Sequence, residues 1–312
     1  MKSMSFFLTR RNCLFILLAL VTAVSLGCTR KDEARLGTPA NPFKLYFIPA
    51  VDTNAIATSA DEIISFIKQQ TGYEVKGGIP TSYIAVIEAL GSKQADAASL
   101  NTFGYILANK KYGVQARLRY IQGESDLTYR AQVIVRGDRG YHKLEDLRGK
   151  KFAFVDPAST AGYLLPFKMF KDRGIELGET VFAQRHDSVV TMVYQGQVDG
   201  GATYWSAAGP DGKIRDARNR VLTQYPDVAE KVKILELSEE VPNAPFVFRK
   251  DVPEEMARKV TEALVAFSKT EHGKEVLKSV FDIGGFVPAT DADYNVVREM
   301  LVKLGKDAEE LL

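Results

Sequence analysis

The sequence predicts an α/β protein of two lobes built on mainly parallel sheets covered by helices. Three observations lead there. From Lys44 onward, short apolar runs alternate with stretches whose apolar residues recur at helical spacing. A second series of the same kind starts near Ala131. The chain of 312 residues is long enough to fill more than one core.

The elements follow in order. "KLYFIP" (44–49) is a short apolar strand that ends in proline. Residues 59–70 carry Ile63, Ile64, Phe66 and Ile67 at helical spacing, and Gly72 stops that helix. "YEVKGGIP" (73–80) is a strand candidate. Thr81 is positioned to cap a helix holding Ile84, Val86, Ile87 and Leu90, with Gly91 as its end. A buried strand at 95–100, a helix at 103–111 and a strand at 117–122 complete the first series. In the second, strands fall at 131–136, 151–156, 181–184 and 198–205. Helices lie between them, one ending at Arg173 before Gly174 and one at 187–195. Residues 231–237 read as the last strand, and helices dominate after Pro253. One plan occurs twice, in "LGSKQADAAS" (90–99) and "VYQGQVDGGA" (193–202). It suits two similar lobes facing each other, and equally two ordinary helix–strand joints.

Residues 1–27 read as an export signal: Lys2, Arg10 and Arg11, then an apolar run, then Gly27 before Cys28. "SLGC" (25–28) resembles a bacterial lipobox, with Ser25 where such boxes usually carry leucine, so Cys28 is the expected lipidation site. "TRRNCL" (9–14) resembles a twin-arginine signal. Residues 28–41 then form the lipidated cysteine and a polar tether. The other cysteine, Cys13, would leave with the signal, so no disulfide is expected. Without residues 1–27 the chain holds 38 basic and 39 acidic residues, a net charge of −1, so no nucleic-acid surface is expected.

The chemistry gathers at strand ends. "AFVDPASTAGYLLP" (153–166) begins as a strand and ends as a helix. Between them Ser159, Thr160, Ala161 and Gly162 are small, two of them hydroxylated. The first N–H groups of a helix lack intrahelical partners and carry partial positive charge. Such a turn suits a compact anion without any lysine, although Ser159 could serve simply as a cap. Pro166, one turn in, is expected to kink the helix. His186 stands just before a helix that Asp187 could cap, and its ring could donate to the same anion. Tyr129, Tyr163, Tyr204 and Trp205 fall near strand–loop junctions, where phenols suit a neutral hydrogen-bonding cleft. His142 and His272 read as surface residues. No histidine pair has metal spacing, no nucleophile elbow or P-loop occurs, and neither an enzyme nor a cofactor is expected.

Taken together, "TSYIAVIEALGSKQADAA" (81–98), "KLEDLRGKKFAFVDPASTAGYLLP" (143–166), "HDSVV" (186–190) and "VDGGATY" (198–204) resemble the substrate-binding lipoproteins of phosphate, phosphite and phosphonate ABC transporters. The resemblance implies a two-lobed periplasmic-binding-protein fold with two crossing segments and a ligand cleft between the lobes. One lobe would hold 42–128 plus 246–312 and the other 131–241, with crossings near 129–131 and 241–245. It implies a small phosphorus oxyanion as ligand, an ABC permease with its ATPase as partner, and a lipid anchor in the membrane; the alternative is a receptor or sensory binding protein for a different small anion. Ser159, Thr160 and Ala161 would clasp the oxyanion, with His186 and Tyr129 beside it. Where the family usually has an aromatic–glycine pair, this chain reads "SLNT" (99–102). Leu100 thus replaces an aromatic, and Asn101 or Thr102 would supply the first lobe's contacts. Tyr204 completes the candidate set. Aminophosphonate binders carry an acid at the second crossing, and this chain has Ala244 in "VPNAP" (241–245).

Overall fold

A computed structural model describes residues 34–209 and 212–305. The expected signal, Cys28 and the start of the tether lie outside the described residues. The chain opens with β1 (Phe43–Phe47), α1 (Thr53–Thr71), β2 (Val75–Gly78), α2 (Tyr83–Gly91), β3 (Ala97–Ser99), α3 (Thr102–Tyr112) and β4 (Gln115–Gln122). It continues with β5 (Thr128–Arg136), β6 (Phe152–Phe154), a π turn (Thr160–Leu164) leading into α4 (Leu165–Asp172), β7 (Thr180–Phe182) and α5 (His186–Tyr194). Next come β8 (Gly200–Trp205), α6 (Val228–Lys231), β9 (Val232–Leu237) and β10 (Val241–Pro242). It closes with β11 (Pro245–Phe248), α7 (Glu254–Phe267), α8 (Glu271–Phe281), β12 (Ile283–Pro288) and α9 (Asn295–Lys303).

Two sheets result. The first has the order β12-β4-β11-β3-β1-β2; in the second, β10-β5-β8-β6-β7, strand β9 also pairs with β5. Only β1–β2, β1–β3, β6–β7 and β6–β8 are parallel pairs. The others are antiparallel, so the sheets are mixed rather than mainly parallel. The cause is connectivity. The chain leaves the first sheet along β4 and returns along β11, and strands that leave and return add in opposite directions. Three strands also follow Leu237, which the sequence reading took as the end of the last one.

The first passage between sheets runs over residues 123–127, because β5 already begins at Thr128. That is a few residues ahead of the expected 129–131. The return is shorter, Asn243 and Ala244 alone. Asn243 ties the two passages together: its N–H donates to the Leu127 carbonyl at 2.9 Å, and its Nδ2 to the Tyr120 and Asp126 carbonyls at 3.0 and 2.7 Å.

Local chemistry explains where the elements start. Strand β1 buries Phe43, Leu45 and Phe47 in alternation against Ile56, Ile63, Ile64 and Ile67 of α1. Helix α1 begins six residues earlier than its apolar spacing suggested, because the Asp52 carboxylate accepts from the Asn54 and Ala55 N–H groups. It ends at Gly72 with φ +70°. Ser82, not Thr81, caps α2. Gly91 is not an αL stop; a Cβ there would lie 2.4 Å from the Tyr112 ring. The repeated plan proves structural. Asp96 and Lys44 exchange bonds at the head of β1: the Lys44 N–H donates to Oδ2 at 2.8 Å and the Asp96 N–H to the Lys44 carbonyl at 2.9 Å. Asp199 and Lys151 do the same just before β6, at 3.1 and 2.9 Å. Each repeat is a clamp that fixes the edge of a parallel β unit, far from the cleft end.

Candidate functional site

The lobes meet where β1, β3 and β6 end, the place where open α/β sheets take ligands. Between them lies a cavity of about 120 Å³, lined from the first lobe by Ile48, Ala50, Tyr83, Ser99, Leu100, Asn101, Tyr120, Gln122 and Ile283. Tyr129, Ser159, Thr160, Ala161, His186 and Tyr204 line it from the second, and Asn243 and Ala244 from the return passage. No Lys, Arg, Asp or Glu is among these residues. Ser159, Thr160, Ala161, His186, Tyr129, Asn101 and Tyr204, all singled out in the sequence, therefore converge.

Thr102 does not join them. Its hydroxyl donates to the Pro242 carbonyl at 2.7 Å, and it is not in the lining. Of the two alternatives in "SLNT", Asn101 is the one facing the cavity. Tyr163 is absent too; its ring packs on Phe154, Phe167 and Phe182. His142 is exposed, and His272 pairs with Glu62 at the surface. Tyr83, Tyr120, Ser99 and Gln122 are lining residues that sequence reasoning missed.

Four helix starts point at the cavity, which supplies positive potential without a cation. The Ser159 Oγ accepts from the Gly162 N–H at 3.0 Å and so caps the turn, while its own proton stays available to the cavity. Gly162 is required there, since a Cβ would fall 2.4 Å from Val155 Cγ2. The Leu164 N–H reaches back to the Ser159 carbonyl at 3.0 Å, which makes this turn a π turn. Such turns recur at functional sites. Pro166 sits just beyond it, so the wide turn takes the place of the expected kink. Among the described residues, the Thr160 and Ala161 N–H groups have no acceptor.

The Thr160 hydroxyl is engaged across the cleft. It donates to Asn101 Oδ1 at 2.7 Å and accepts from the Phe103 N–H at 2.8 Å. Two further bonds join the lobes here: the Tyr83 N–H donates to Asp156 Oδ2 at 3.3 Å, and the His186 N–H to the Ala50 carbonyl at 3.0 Å. That carbonyl does for α5 what Asp187 was expected to do as a cap; the N-cap residue is Arg185, without a side-chain cap. Two polar atoms of lining residues are left over. Asn101 Nδ2 and the Tyr83 hydroxyl are buried without a partner.

His186 is buried, and burial, helped by the nearby Arg220 charge, pushes its ring down to about 3, so it is neutral at pH 7. Its Nδ1 pairs with the Thr203 hydroxyl at 3.1 Å, which leaves Nε2 for the cavity. Its ring meets Tyr204 edge-on at 5.0 Å. The Tyr204 hydroxyl accepts from Arg220 Nε at 3.0 Å, so the guanidinium stands one residue behind the wall. Burial raises the phenols of Tyr83, Tyr129 and Tyr204, keeping all three neutral donors. Burial likewise raises Asp156. The described residues contain no cluster of His, Cys, Asp and Glu fit for a metal ion.

Two mixed α/β lobes, two passages between them and a cavity at the seam define a two-lobed binding protein of the periplasmic type. Residues 45–294 match the family described as ABC transporter, phosphonate, periplasmic substrate-binding protein, and the chain belongs to that family. It is 27% identical over 203 residues to the phosphate-import protein PhnD of Mycolicibacterium smegmatis, a match that spans 60% of this chain and 63% of that relative. The fold is similar to that of a binding protein component of an ABC phosphonate transporter from Pseudomonas aeruginosa, at TM-score 0.75 and 19% identity over 84% of this chain and 86% of the other. It is also similar to PhnD1 of Prochlorococcus marinus in complex with methylphosphonate, at TM-score 0.72 and 18% identity over 85% and 98%.

Proposed function

We propose that this protein captures a small phosphorus oxyanion by closing its lobes around it and delivers it, unconverted, to an ABC permease with its ATPase. The observation that carries this reading is the donor set of the cavity. Ser159, Thr160, Ala161 and His186 of one lobe and Asn101 and Tyr83 of the other line it, with no Lys or Arg among the lining residues; the Thr160 and Ala161 N–H groups, Asn101 Nδ2 and the Tyr83 hydroxyl have no partner among the described residues. An oxyanion with three oxygens has acceptors enough for all of them. Tyr129 and Tyr204 wall the same space.

Size narrows the ligand. An apolar cavity of about 150 Å³ holds a benzene, so about 120 Å³ admits roughly five heavy atoms. Phosphite, methylphosphonate and phosphate fit, and aminoethylphosphonate is larger and charged. A buried ammonium needs an acceptor that balances it. Ala244 lines the cavity, and Asp126 does not; the Asp126 backbone carbonyl accepts from Asn243 Nδ2 and the Gln122 N–H. Compact ligands without an amine are therefore expected to bind at least about tenfold more tightly, about 1.4 kcal/mol, than aminoethylphosphonate. Titration calorimetry with the four compounds tests this. Tighter binding of aminoethylphosphonate would refute the preference, and binding of none of them would refute the ligand class.

The same reading assigns the protein to the outer face of a bacterial membrane, held by lipid on Cys28 and a tether to residue 41. No helix among the described residues is long and apolar enough to cross a membrane. Cys28→Ser should move the protein to the soluble fraction or leave it uncleaved. Unchanged membrane attachment would remove the lipoprotein assignment.

A further inference from the structure

Behind the ligand cavity lies a second, smaller one of about 30 Å³. Its other walls are largely apolar, including Phe47, Ile56, Ala60, Ile63 and Leu264. The two cavities share three residues, Ser99, Tyr120 and Ile283, so these form the partition between them. Tyr120 is pinned at both ends. Its hydroxyl donates to the Ser99 hydroxyl, and its ring meets Phe286 edge-on at 5.5 Å. Burial raises its phenol, which keeps it a donor to Ser99 at any physiological pH.

We propose that Tyr120, latched to Ser99, sets the maximum length of the ligand's organic tail. The inference rests on the phosphorus-oxyanion reading above. The donors that suit the oxygens stand on the turn at 159–161, on Asn101, on Tyr83 and on His186. A phosphorus atom whose three oxygens face those donors directs its fourth substituent away from them. Of the rest of the lining, which includes Ile48, Ala50, Tyr129, Tyr204 and Ala244, only Ser99, Tyr120 and Ile283 also border further space, in the second cavity. A hydrogen or methyl group ends short of the partition. A longer unbranched chain meets the Tyr120 ring, and the space that could take it lies on the far side. Tyr120 is thus a specificity-determining residue, and the second cavity is a tail subsite for an alkyl group that the latch holds shut.

Calorimetry with methyl-, ethyl-, propyl- and butylphosphonate on the full chain tests this. For the parental protein, affinity is expected to fall at least about tenfold from methyl to butyl, a range that contacts of one to three methylenes commonly span. Tyr120→Leu should join the two cavities and reverse or erase that fall, while Tyr120→Phe, which keeps the ring, should retain most of it. Circular dichroism and binding of inorganic phosphite report whether each variant is folded and its oxyanion end intact. If Tyr120→Leu does not fold, the parental chain-length series still decides. Equal affinity for methyl and butyl in the parental protein overturns the inference and leaves the ligand class standing. So does a folded Tyr120→Leu with the parental length preference. Failure of the parental protein to bind phosphite, phosphate or any phosphonate overturns both.

Discussion

Thr160→Val removes one hydroxyl and leaves the shape of the side chain nearly unchanged. That hydroxyl lies in the second lobe, beside the Tyr129 hydroxyl, yet it bonds Asn101 Oδ1 and the Phe103 N–H of the first. It therefore contributes to closure rather than donating to the ligand. In the open form both partners reach water. In the closed form of the variant the Phe103 N–H would be buried without an acceptor, and Asn101 Oδ1 would keep only the Gly104 N–H. An orphaned buried donor costs about 1–3 kcal/mol and a lost neutral bond about 1 kcal/mol. The closed form should lose about 2–3 kcal/mol, and ligand affinity should fall about 30- to 150-fold. Calorimetry measures the affinity, using whichever of phosphite, methylphosphonate and phosphate binds the parental protein most tightly. Small-angle scattering at saturating ligand measures the closure. Thr160→Ser, which restores donor and acceptor, should recover most of the loss. Parental affinity in Thr160→Val, or a serine variant as weak as the valine one, would refute the argument.

Gly162→Ala should destabilise the protein by about 1–3 kcal/mol, because its Cβ would press on Val155 Cγ2 and on Ser159 Oγ at 2.8 Å; an unchanged urea midpoint would contradict this. Thr203→Val should release His186 from the tautomer that the Thr203 hydroxyl fixes through Nδ1, visible in the ring ¹⁵N shifts, and weaken binding about fivefold or more. Thr203→Ser should rescue both, and unchanged ring shifts in the valine variant would exclude a tautomer role. The depressed His186 ring sets the acid limb of stability. Its folded value near 3 lies below the ordinary 6.5, so the unfolded chain binds the extra proton and stability falls as pH drops from about 6.5 toward 3. The slope from this one group reaches about 1.4 kcal/mol per pH unit, and His186→Gln should flatten it. Asp156, raised by burial, acts in the opposite sense, with stability gained as pH falls through the carboxylate range. An acid limb equally steep in His186→Gln would show that another group drives it.

What was legible in the sequence was whatever depends on neighbours along the chain. The small, hydroxylated turn at 159–162 can be read where it stands, because the strand before it and the helix after it fix its geometry. His186, Tyr129 and Tyr204 were legible for the same reason: each sits at an element boundary. Tyr83 and Tyr120 were not. Tyr83 opens a helix with a buried stripe, and Tyr120 falls in the alternation of β4, so each reads as ordinary core. Whether such a ring meets core or cavity depends on the opposite lobe, which local pattern does not encode. Strand direction was hidden likewise, since β4 and β11 pair antiparallel only because the chain leaves one lobe and comes back. Asn101 and Thr102 differ by one position, and only the start of α3 separates them: the cap side chain stays at the seam, and the next residue turns back to Pro242. These hidden features share one cause, for each requires both lobes at once. The same is true of the donor set itself. Asn101 and Tyr83 lie across the seam from the turn at 159–161 and His186, so the lining is complete only with both lobes together.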